Sequence, residues 1–242
     1  MGFGNKLRVF FARLLISLIH YAWRVSEIVL GRRFSLKEHY FIMRAFRGLT
    51  RSYPVKIHYP NPISTENKNI ALGLDLCENS QDWYFRRRQF YELDWLRVIG
   101  MGMPRAHSFI DVGAHIGVFA LPIAQAFPQS RIVAIEPLQS NYQKLESNIR
   151  LNCLSNIEPL KAAVTDERGP VKFYVNPLND GGGSLLEPEE YRTGNVRIEV
   201  ADYQQSHPRF TPLMEVESLR LDDLITDASV VKIDVEGAEV SV

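Results

Sequence analysis

A glycine-spaced turn between an apolar run and an apolar helix constrains this chain more than any other feature. Residues 108–112 form a short apolar run with one acid, and residues 113–117 read Gly-Ala-His-Ile-Gly. Gly113 and Gly117 lack a Cβ, so the backbone can turn sharply there and come close to a ligand. Residues 118–127 are predicted to be helical, and the free N–H groups of their first turn face whatever lies above the strand.

A second strand and a second acid follow at the spacing of a nucleotide-binding fold. Residues 131–135 are a compact β-branched run that ends in Glu136. In doubly wound folds an acid about 20 positions after the glycine loop receives the ribose hydroxyls of a nucleotide. Glu136 fits this role, although an acid that merely ends a strand at a solvated edge is the alternative. The pattern for a nicotinamide cofactor is G-x-G-x-x-G, whereas His115 occupies the middle position here, which disfavours NAD.

The segment after the second strand continues a doubly wound α/β pattern. Apolar side chains spaced 4, 3 and 4 residues apart predict a crossover helix over residues 138–149, with Asn152 as its left-handed stop. Residues 157–164 predict a third strand, with Ala162 and Ala163 at its carboxyl end. Small side chains at that position leave room for an adenine ring, or they allow strands to pack closely.

Further elements are predicted on both sides of this core. A polar stretch separates two upstream runs that predict an antiparallel hairpin, and a helix precedes the glycine-loop strand. Downstream, alternating runs predict two strands, and the last apolar run predicts a fourth core strand. The segments are 55–59 and 70–76 for the hairpin, 93–99 for the helix, 171–175 and 196–203 for the alternating strands, and 230–235 for the fourth core strand.

The net charge of zero hides an asymmetry between the first 52 residues and the rest. Residues 1–52 carry ten Lys or Arg against Glu27 and Glu38, so the remaining residues carry the compensating negative charge. Such a split predicts contact of the first segment with a membrane surface, a polyanion or the acidic core. We predict three units, which are a basic amphipathic helical segment over 1–52, a hairpin and helix over 53–107, and a nucleotide-binding core over 108–242.

One long helix is predicted within the basic segment. Polar side chains recur at spacings of 4, 3, 4 and 3 over residues 7–30, which makes one narrow polar stripe on an apolar helix. The apolar run between Arg13 and Arg24 is shorter than the roughly 20 residues that span a bilayer, and no signal-peptide cleavage site follows it. Residues 1–33 therefore lie in a membrane interface or pack on the domain or on a second copy, and the basic flanks favour the membrane surface.

The positions of the cysteines and histidines indicate the cellular compartment and whether a metal centre is expected. Cys77 and Cys153 lie far apart without a C-x-x-C pair, which is typical of a reducing compartment, so we expect a cytoplasmic protein with peripheral membrane contact. The six histidines include no H-x-x-x-H or H-E-x-x-H pair, so we expect no histidine metal centre. Residues 83–92 mix aromatic and basic side chains, as nucleic-acid readers do, but an amphipathic helix is the commoner cause and we expect no nucleic-acid partner.

Five motifs together resemble one enzyme family. They are Asp-Val-Gly-Ala-His-Ile-Gly at 111–117, Ile-Glu-Pro at 135–137, Asn148 and Asn152 on the second helix, Leu-Asp-Asp-Leu at 221–224 and Lys-Ile-Asp-Val-Glu-Gly-Ala-Glu at 232–239. With these motifs the chain resembles the FkbM family of S-adenosylmethionine-dependent methyltransferases. The resemblance extends from about residue 90 to residue 242, and the motif at 232–239 is its most specific part.

This resemblance implies a Rossmann-like, doubly wound class I methyltransferase sheet that binds S-adenosylmethionine and methylates hydroxyl groups of sugars or other small metabolites. The implied cofactor residues lie in the glycine loop, at strand ends and on the helix after the second strand. Asp111 would reach the amino group of the cofactor directly or through water, and Glu136 would hold its ribose. The complete set is Asp111, Gly113, Ala114, His115, Gly117, Glu136, Asn141, Ala162 and Ala163.

Three residues are candidates for catalysis. Asp234 follows the fourth strand, where open α/β sheets place their chemistry, and is our first choice for orienting or deprotonating the acceptor. Glu236 and Glu239 follow at i+2 and i+5, where they hold a divalent ion or cap a helix. The capping interpretation is favoured, so we predict no metal site and keep Glu236 as a catalytic candidate. His115 is the third candidate, or a loop residue that bonds to the backbone.

The predicted core has fewer strands than the family's sheet. Class I methyltransferases have seven strands, whereas this chain reaches four core strands by residue 235, so we expect a sheet that is incomplete at its C-terminal side. We also expect a fragment or a truncated product, whose bare fourth strand lowers its stability. Two other functions stay open here, a non-catalytic membrane-associated fragment with part of the cofactor cleft and an NAD-dependent oxidoreductase.

Overall fold

Parallel strands at the centre of the computed structural model carry the loops that matter for function. The structure describes residues 54–75, 78, 81, 92–176, 181–186, 190–193, 196–199, 213–225, 229–235, 239 and 242. The helical segment predicted within 1–52, with its membrane contact, and the run 83–91 lie outside these residues. Among the described residues, no helix is long and apolar enough to cross a bilayer.

The described elements alternate between strands and helices in the core and are mainly strands elsewhere. The strands are β1 (Pro54–Pro60), β2 (Asn69–Asp75), β3 (Ser108–Val112), β4 (Arg131–Ile135), β5 (Ile157–Leu160), β6 (Ala163–Val164), β7 (Gly169–Tyr174), β8 (Glu190–Thr193), β9 (Val196–Glu199), β10 (Leu213–Leu219) and β11 (Ser229–Ile233). The helices are α1 (Leu93–Gly102), α2 (Ala120–Ala126) and α3 (Gln139–Leu151), with 3-10 turns at Met103–Arg105 and Leu221–Asp223.

The central sheet has the order β11-β3-β4-β5, and all of its pairings are parallel. The chain moves from β3 outwards through β4 to β5 and then returns to the other side of β3 with β11. This is the order of a doubly wound sheet with a topological switch point between β3 and β11, and ligands of such sheets bind at the carboxyl ends of the strands. The predicted Rossmann-like fold class is confirmed.

Both faces of the central sheet are covered, which explains why β3 is buried along its whole length. Phe109 belongs to a core with side chains of α2, α3 and the β1–β2 hairpin. Ile110 and Val112 point to the opposite face, where they join a second core that packs against Leu219 and Leu224. Successive residues of a strand point to opposite faces, so Asp111 shares the face of Phe109 and the first core.

The β1–β2 hairpin is antiparallel, as predicted, and two asparagines of α3 attach it to the core. Oδ1 of Asn148 accepts the Gly73 N–H at 2.8 Å, and its Nδ2 donates to the Ile116 carbonyl at 2.9 Å. Asn152 accepts the Ala71 N–H at 2.8 Å and donates to the Ala71 carbonyl at 2.7 Å. The two side-chain amides therefore hydrogen-bond to backbone groups of β2, as a neighbouring strand would. Asn148 also joins β2 to the glycine loop.

Replacing Asn148 by alanine is expected to lower the free energy of unfolding by about 3 kcal/mol, because it leaves two backbone groups without partners. Asn148 is fully buried, so water does not replace the lost bonds. Urea unfolding measures the change, and Ser147→Ala, on the exposed side of the same helix, is the control with an expected change within about 0.5 kcal/mol. Equal stability of the two variants would contradict this docking.

Two local predictions are wrong. The third strand does not run through residues 157–164, because β5 ends at Leu160 and β6 pairs with β10 in a separate sheet of order β6-β10-β7. Asn152 is not the left-handed stop of α3. Its φ is −99°, and Cys153 takes the left-handed conformation with φ 53°. The hydrogen bonds of the Asn152 amide to β2 explain why this position needs asparagine.

Candidate cofactor and active site

The glycine loop turns back over the neighbouring strand β4. Gly113, His115 and Gly117 have φ angles of 74°, 51° and 95°. The N–H groups of Gly113 and Ala114 both donate to the carbonyl of Ile135, at 3.0 and 2.9 Å. Left-handed conformation at a non-glycine residue such as His115 costs about 1–3 kcal/mol and is concentrated at functional sites. The loop is thus held in a strained turn against the last residue of β4.

The loop also approaches β11 closely, and this approach requires a glycine. An ideal Cβ built on Gly113 would lie 2.0 Å from the carbonyl oxygen of Asp234. The Asp234 N–H donates to the Val112 carbonyl at 3.2 Å. The ends of β3 and β11 therefore meet directly beneath the loop, at the switch point of the sheet.

Glu136 is buried and holds three parts of the site together. Its Oε2 accepts the His115 N–H at 2.9 Å, and its Oε1 accepts the Leu138 N–H at 3.1 Å and Nδ2 of Asn141 at 3.3 Å. Burial raises the pKa of Glu136, an effect that exceeds the lowering by the nearby His115 and by these hydrogen bonds. Strongly perturbed carboxylates in such positions are concentrated at functional sites.

This raised pKa predicts a pH dependence of stability. The folded state holds the Glu136 proton more tightly than the unfolded chain does, so the stabilisation is complete below pH 4.5 and is lost as the pH rises through the folded pKa. We expect the free energy of unfolding of the wild type to fall relative to Glu136→Gln as the pH increases from 4.5 towards neutrality. Urea unfolding of both proteins across this range measures the difference, and parallel curves would contradict it.

Asp111 and Lys232 form a buried pair of opposite charges beside the loop. Asp111 is fully buried, and neither of its carboxylate oxygens accepts a hydrogen bond from the residues that the structure describes. Nζ of Lys232 lies 3.2 Å from Oδ1 of Asp111, close enough for an ion pair although the geometry is not that of a hydrogen bond. The same Nζ donates to the Gly113 carbonyl at 3.0 Å. The negative charge of Asp111 is therefore balanced but not hydrogen-bonded.

Asp234 follows β11 directly, and its side chain is exposed, with Oδ2 3.7 Å from Nζ of Lys232. The second catalytic candidate, Glu236, lies outside the described residues. Oε1 of Glu239 accepts the Val235 N–H at 3.3 Å. Within the described parts of the chain, no three His, Cys, Asp or Glu side chains are grouped so as to hold a metal ion.

The remaining predicted cofactor residues fall into two groups. Asn141 contacts Glu136 and is buried beside it. Ala162 and Ala163 are buried beyond the end of β5, and Ala162 packs into the hydrophobic core of the second face. The structure therefore brings Asn141 to the acid at the end of β4, whereas Ala162 and Ala163 do not continue the strand on which they were predicted.

A polar cleft of about 330 Å³ adjoins Asn141. One wall comes from the end of β2 and the residues after it, and the other from the first half of α3. The lining residues are Asp75, Glu78, Gln81, Ser140, Asn141, Gln143, Lys144 and Ser147. Asn141 therefore lines this cleft and also donates to Glu136.

The arrangement joins a glycine loop, a buried acid and an acidic strand end at one edge of a parallel sheet. Residues 111–242 match the family described as Methyltransferase FkbM domain, and this match covers more than half of the chain. The chain belongs to the FkbM methyltransferase family. The region matched to the FkbM domain contains the glycine loop, Glu136 and β11, whereas the β1–β2 hairpin lies before it.

Individual relatives of this FkbM-family chain have low sequence identity to it. Methyltransferase sdnD of Sordaria araneosa is 27% identical over 156 residues, which cover 58% of this chain and 60% of that protein. Methyltransferase 1 of Beauveria bassiana is 26% identical over 150 residues, with 57% and 58% covered. The chain spans about three fifths of the length of these relatives. Among solved structures, M. jannaschii TYW2 in complex with AdoMet is 22% identical over 38% of each chain with a TM-score of 0.31, so the fold assignment depends on the strand order.

Two residues whose side chains hydrogen-bond to the glycine loop, Lys232 and Asn148, have no role predicted from the sequence. Lys232 was part of the motif at 232–239, and Asn148 part of the motif on the second helix, but neither was given a contact. The sequence signal for Lys232 is a charged residue that interrupts the apolar run of β11, whereas its pairing with Asp111 on β3 is known only from the strand register. No sequence signal links Asn148 to Ile116, since 32 residues separate them.

Proposed function

We propose that this chain binds S-adenosylmethionine and transfers its methyl group to a hydroxyl oxygen of a sugar or another small metabolite. The observation that carries the proposal is the glycine loop of an FkbM-family chain held between the buried Glu136 and the end of β11. Doubly wound sheets bind their ligands at this edge. The two relatives named as methyltransferases support the reaction class.

The residues at this edge fit the proposed cofactor. The charge of Asp111 is balanced by Lys232, but its oxygens accept no hydrogen bond from the described residues, so they retain the capacity to accept one from the amino group of the cofactor, directly or through water. A carboxylate accepts about four hydrogen bonds, and protein donors account for three at Glu136, which leaves capacity for a ribose hydroxyl. Gly113 and Ala114 carry almost no side chain, so a ligand can approach the loop backbone.

The chain's own residues supply positioning and a proton acceptor. S-adenosylmethionine supplies an electrophilic methyl group on a sulfonium sulfur. A hydroxyl that attacks this carbon must lose its proton, and the exposed carboxylate of Asp234 beside the loop is our first choice to orient the hydroxyl and accept that proton. His115 and Glu236 are further candidates for the same task.

Isothermal titration calorimetry with S-adenosylmethionine tests the proposal. We expect saturable binding by the wild type and binding about 10- to 100-fold weaker in Glu136→Gln, because the substitution replaces one carboxyl oxygen, which accepts hydrogen bonds, by an amide NH2 group, which only donates them. Glu158→Gln, an exposed acid that pairs with Arg131 on the neighbouring strands, is the matched control and should bind as the wild type does. Titration with NAD is the comparison, and binding of NAD instead would replace methyl transfer by an oxidoreductase function.

The acceptor is identified by a second measurement. Transfer of tritium from methyl-labelled S-adenosylmethionine is followed across a panel of sugars, hydroxylated polyketides and other small alcohols, with amines and thiols included. Labelling of a hydroxylated compound supports the proposed acceptor class. Labelling confined to amines or thiols would leave the cofactor assignment intact and overturn the proposal of O-methylation.

A further inference from the structure

Lys232 is an almost buried cation near the carboxyl end of a mainly apolar strand. Its side chain is 13% exposed, and its neighbours along β11 are Val231 and Ile233. An ammonium group in such a position is costly unless charged and polar partners surround it. The proposed methyl transfer gives Lys232 no step of its own, so the contacts of its ammonium group indicate what it does.

The ammonium group contacts two acids, the glycine loop and an aromatic ring. Nζ of Lys232 lies 3.2 Å from Oδ1 of Asp111 and 3.7 Å from Oδ2 of Asp234. It donates to the Gly113 carbonyl at 3.0 Å. It also lies 5.2 Å from the centre of the Phe119 ring, within the range of a cation–π contact. One cation therefore joins the end of β3, the loop, the end of β11 and the residue before α2.

The contact with Gly113 fixes the orientation of one peptide unit. The carbonyl of Gly113 and the N–H of Ala114 belong to the same planar peptide. The carbonyl accepts from Lys232 on β11, and the N–H donates to Ile135 on β4. The first peptide of the glycine loop is thus held from both sides, and the Lys232 side is the only one of the two that depends on a side chain.

We propose that Lys232 is a positioning residue that keeps Asp111, the Gly113 carbonyl and Asp234 in one arrangement. Asp111 is fully buried and accepts no hydrogen bond from the described residues, so the nearby ammonium compensates its charge. Without that compensation, the buried carboxylate has to draw water or another donor into the space beneath the loop. The ligand-binding part of this inference rests on the proposed function, whereas the pairing of Lys232 with Asp111 does not.

The test compares four variants by calorimetric titration with S-adenosylmethionine and by thermal unfolding. Lys232→Met keeps the length of the side chain without its charge, and we expect the Kd to rise at least tenfold. Lys232→Arg keeps the charge and the donors, and we expect a Kd within about fivefold of the wild type. Lys172→Met removes an exposed lysine of β7 and should change neither quantity. Asp111→Asn combined with Lys232→Met should recover at least half of the Tm lost in Lys232→Met, because no uncompensated charge remains.

Each outcome shows whether the Lys232 side chain positions its neighbours through its charge or only fills space. Wild-type affinity in Lys232→Met, or an equal loss in Lys232→Arg and Lys232→Met, would overturn the proposal. If Lys232→Met does not fold, a cooperative thermal transition of the double variant together with a Kd of Lys232→Arg within about fivefold of the wild type supports the proposal, and a double variant that also fails to fold overturns it. If the wild type does not bind S-adenosylmethionine, the proposed function fails, and the recovery of Tm in the double variant still decides whether Lys232 compensates Asp111.

Discussion

Replacing Gly113 by alanine is expected to abolish cofactor binding and to lower the free energy of unfolding by about 4 kcal/mol or more. The added Cβ would lie 2.0 Å from the carbonyl oxygen of Asp234 and 3.1 Å from its carbonyl carbon. The φ of 74° adds about 1–2 kcal/mol for any L residue. The overlap requires the loop backbone at Gly113 or the end of β11 to move, and such a movement disturbs the contact between Gly113 and Lys232.

Gly169→Ala separates the two causes of this effect. Gly169 has a φ of 116°, but a Cβ built there meets nothing within 4 Å. Its replacement therefore measures backbone strain alone, about 1–3 kcal/mol, and should leave S-adenosylmethionine affinity unchanged. Urea unfolding and calorimetric titration of both variants give the comparison. If Gly113→Ala costs no more stability than Gly169→Ala and still binds the cofactor, the close approach of the two strands is not essential.

The central sheet was predictable because its signals are local. These signals lie in one segment of the chain and have a spacing that few other folds require. They are the run at 108–112, the glycines at 113 and 117 and the acid at 136. Strand pairing then follows from the rule that crossover connections join parallel strands. The match of residues 111–242 to the FkbM domain confirms the family that these motifs indicated.

The misassigned elements depend on partners that are distant in sequence. Residues 157–164 are apolar enough for one strand, but Ala163 pairs with Ser218 of β10, 55 positions later. Residues 157–160 remain with β4 because their partners there begin at Ile132. Similarly, asparagine is a residue type that can end a helix in the left-handed conformation. The side-chain amide of Asn152 instead hydrogen-bonds to the backbone of Ala71 in the hairpin. Local propensity is a weak predictor where a tertiary contact supplies a competing partner.

The chemistry of the candidate site was only partly predictable for the same reason. Asp111, Glu136 and Asp234 stand at strand ends, where the fold alone implies proximity. The role of Lys232 required the register of β11 on β3, which places it opposite Asp111. The link from Asn148 to Ile116 required the packing of α3 on the loop. Strand ends can be read from periodicity, but contacts across the sheet face require the register.

Replacing Asp234 by asparagine is expected to reduce methyl transfer by about 100- to 10,000-fold, which is the contribution of a positioned general base. The side chain of Asp234 is exposed at the end of β11, and its backbone carbonyl, which lies against Gly113, is unchanged by the substitution. We therefore expect the Kd for S-adenosylmethionine to stay within a few-fold of the wild type. Tritium transfer to the acceptor found in the panel measures turnover, and calorimetry measures cofactor affinity.

The separation of turnover from affinity identifies what Asp234 does. Asp166→Asn, at an exposed acid in the turn before β7, is the control for loss of a surface charge and should turn over normally. Loss of turnover with retained affinity in Asp234→Asn fits a group that acts on the acceptor, whereas a parallel loss of both would assign it to cofactor binding. Undiminished turnover removes Asp234 from the mechanism and leaves His115 and Glu236 as the candidates for the proton acceptor, because His115 belongs to the glycine loop and Glu236 follows Asp234 by two positions in the sequence.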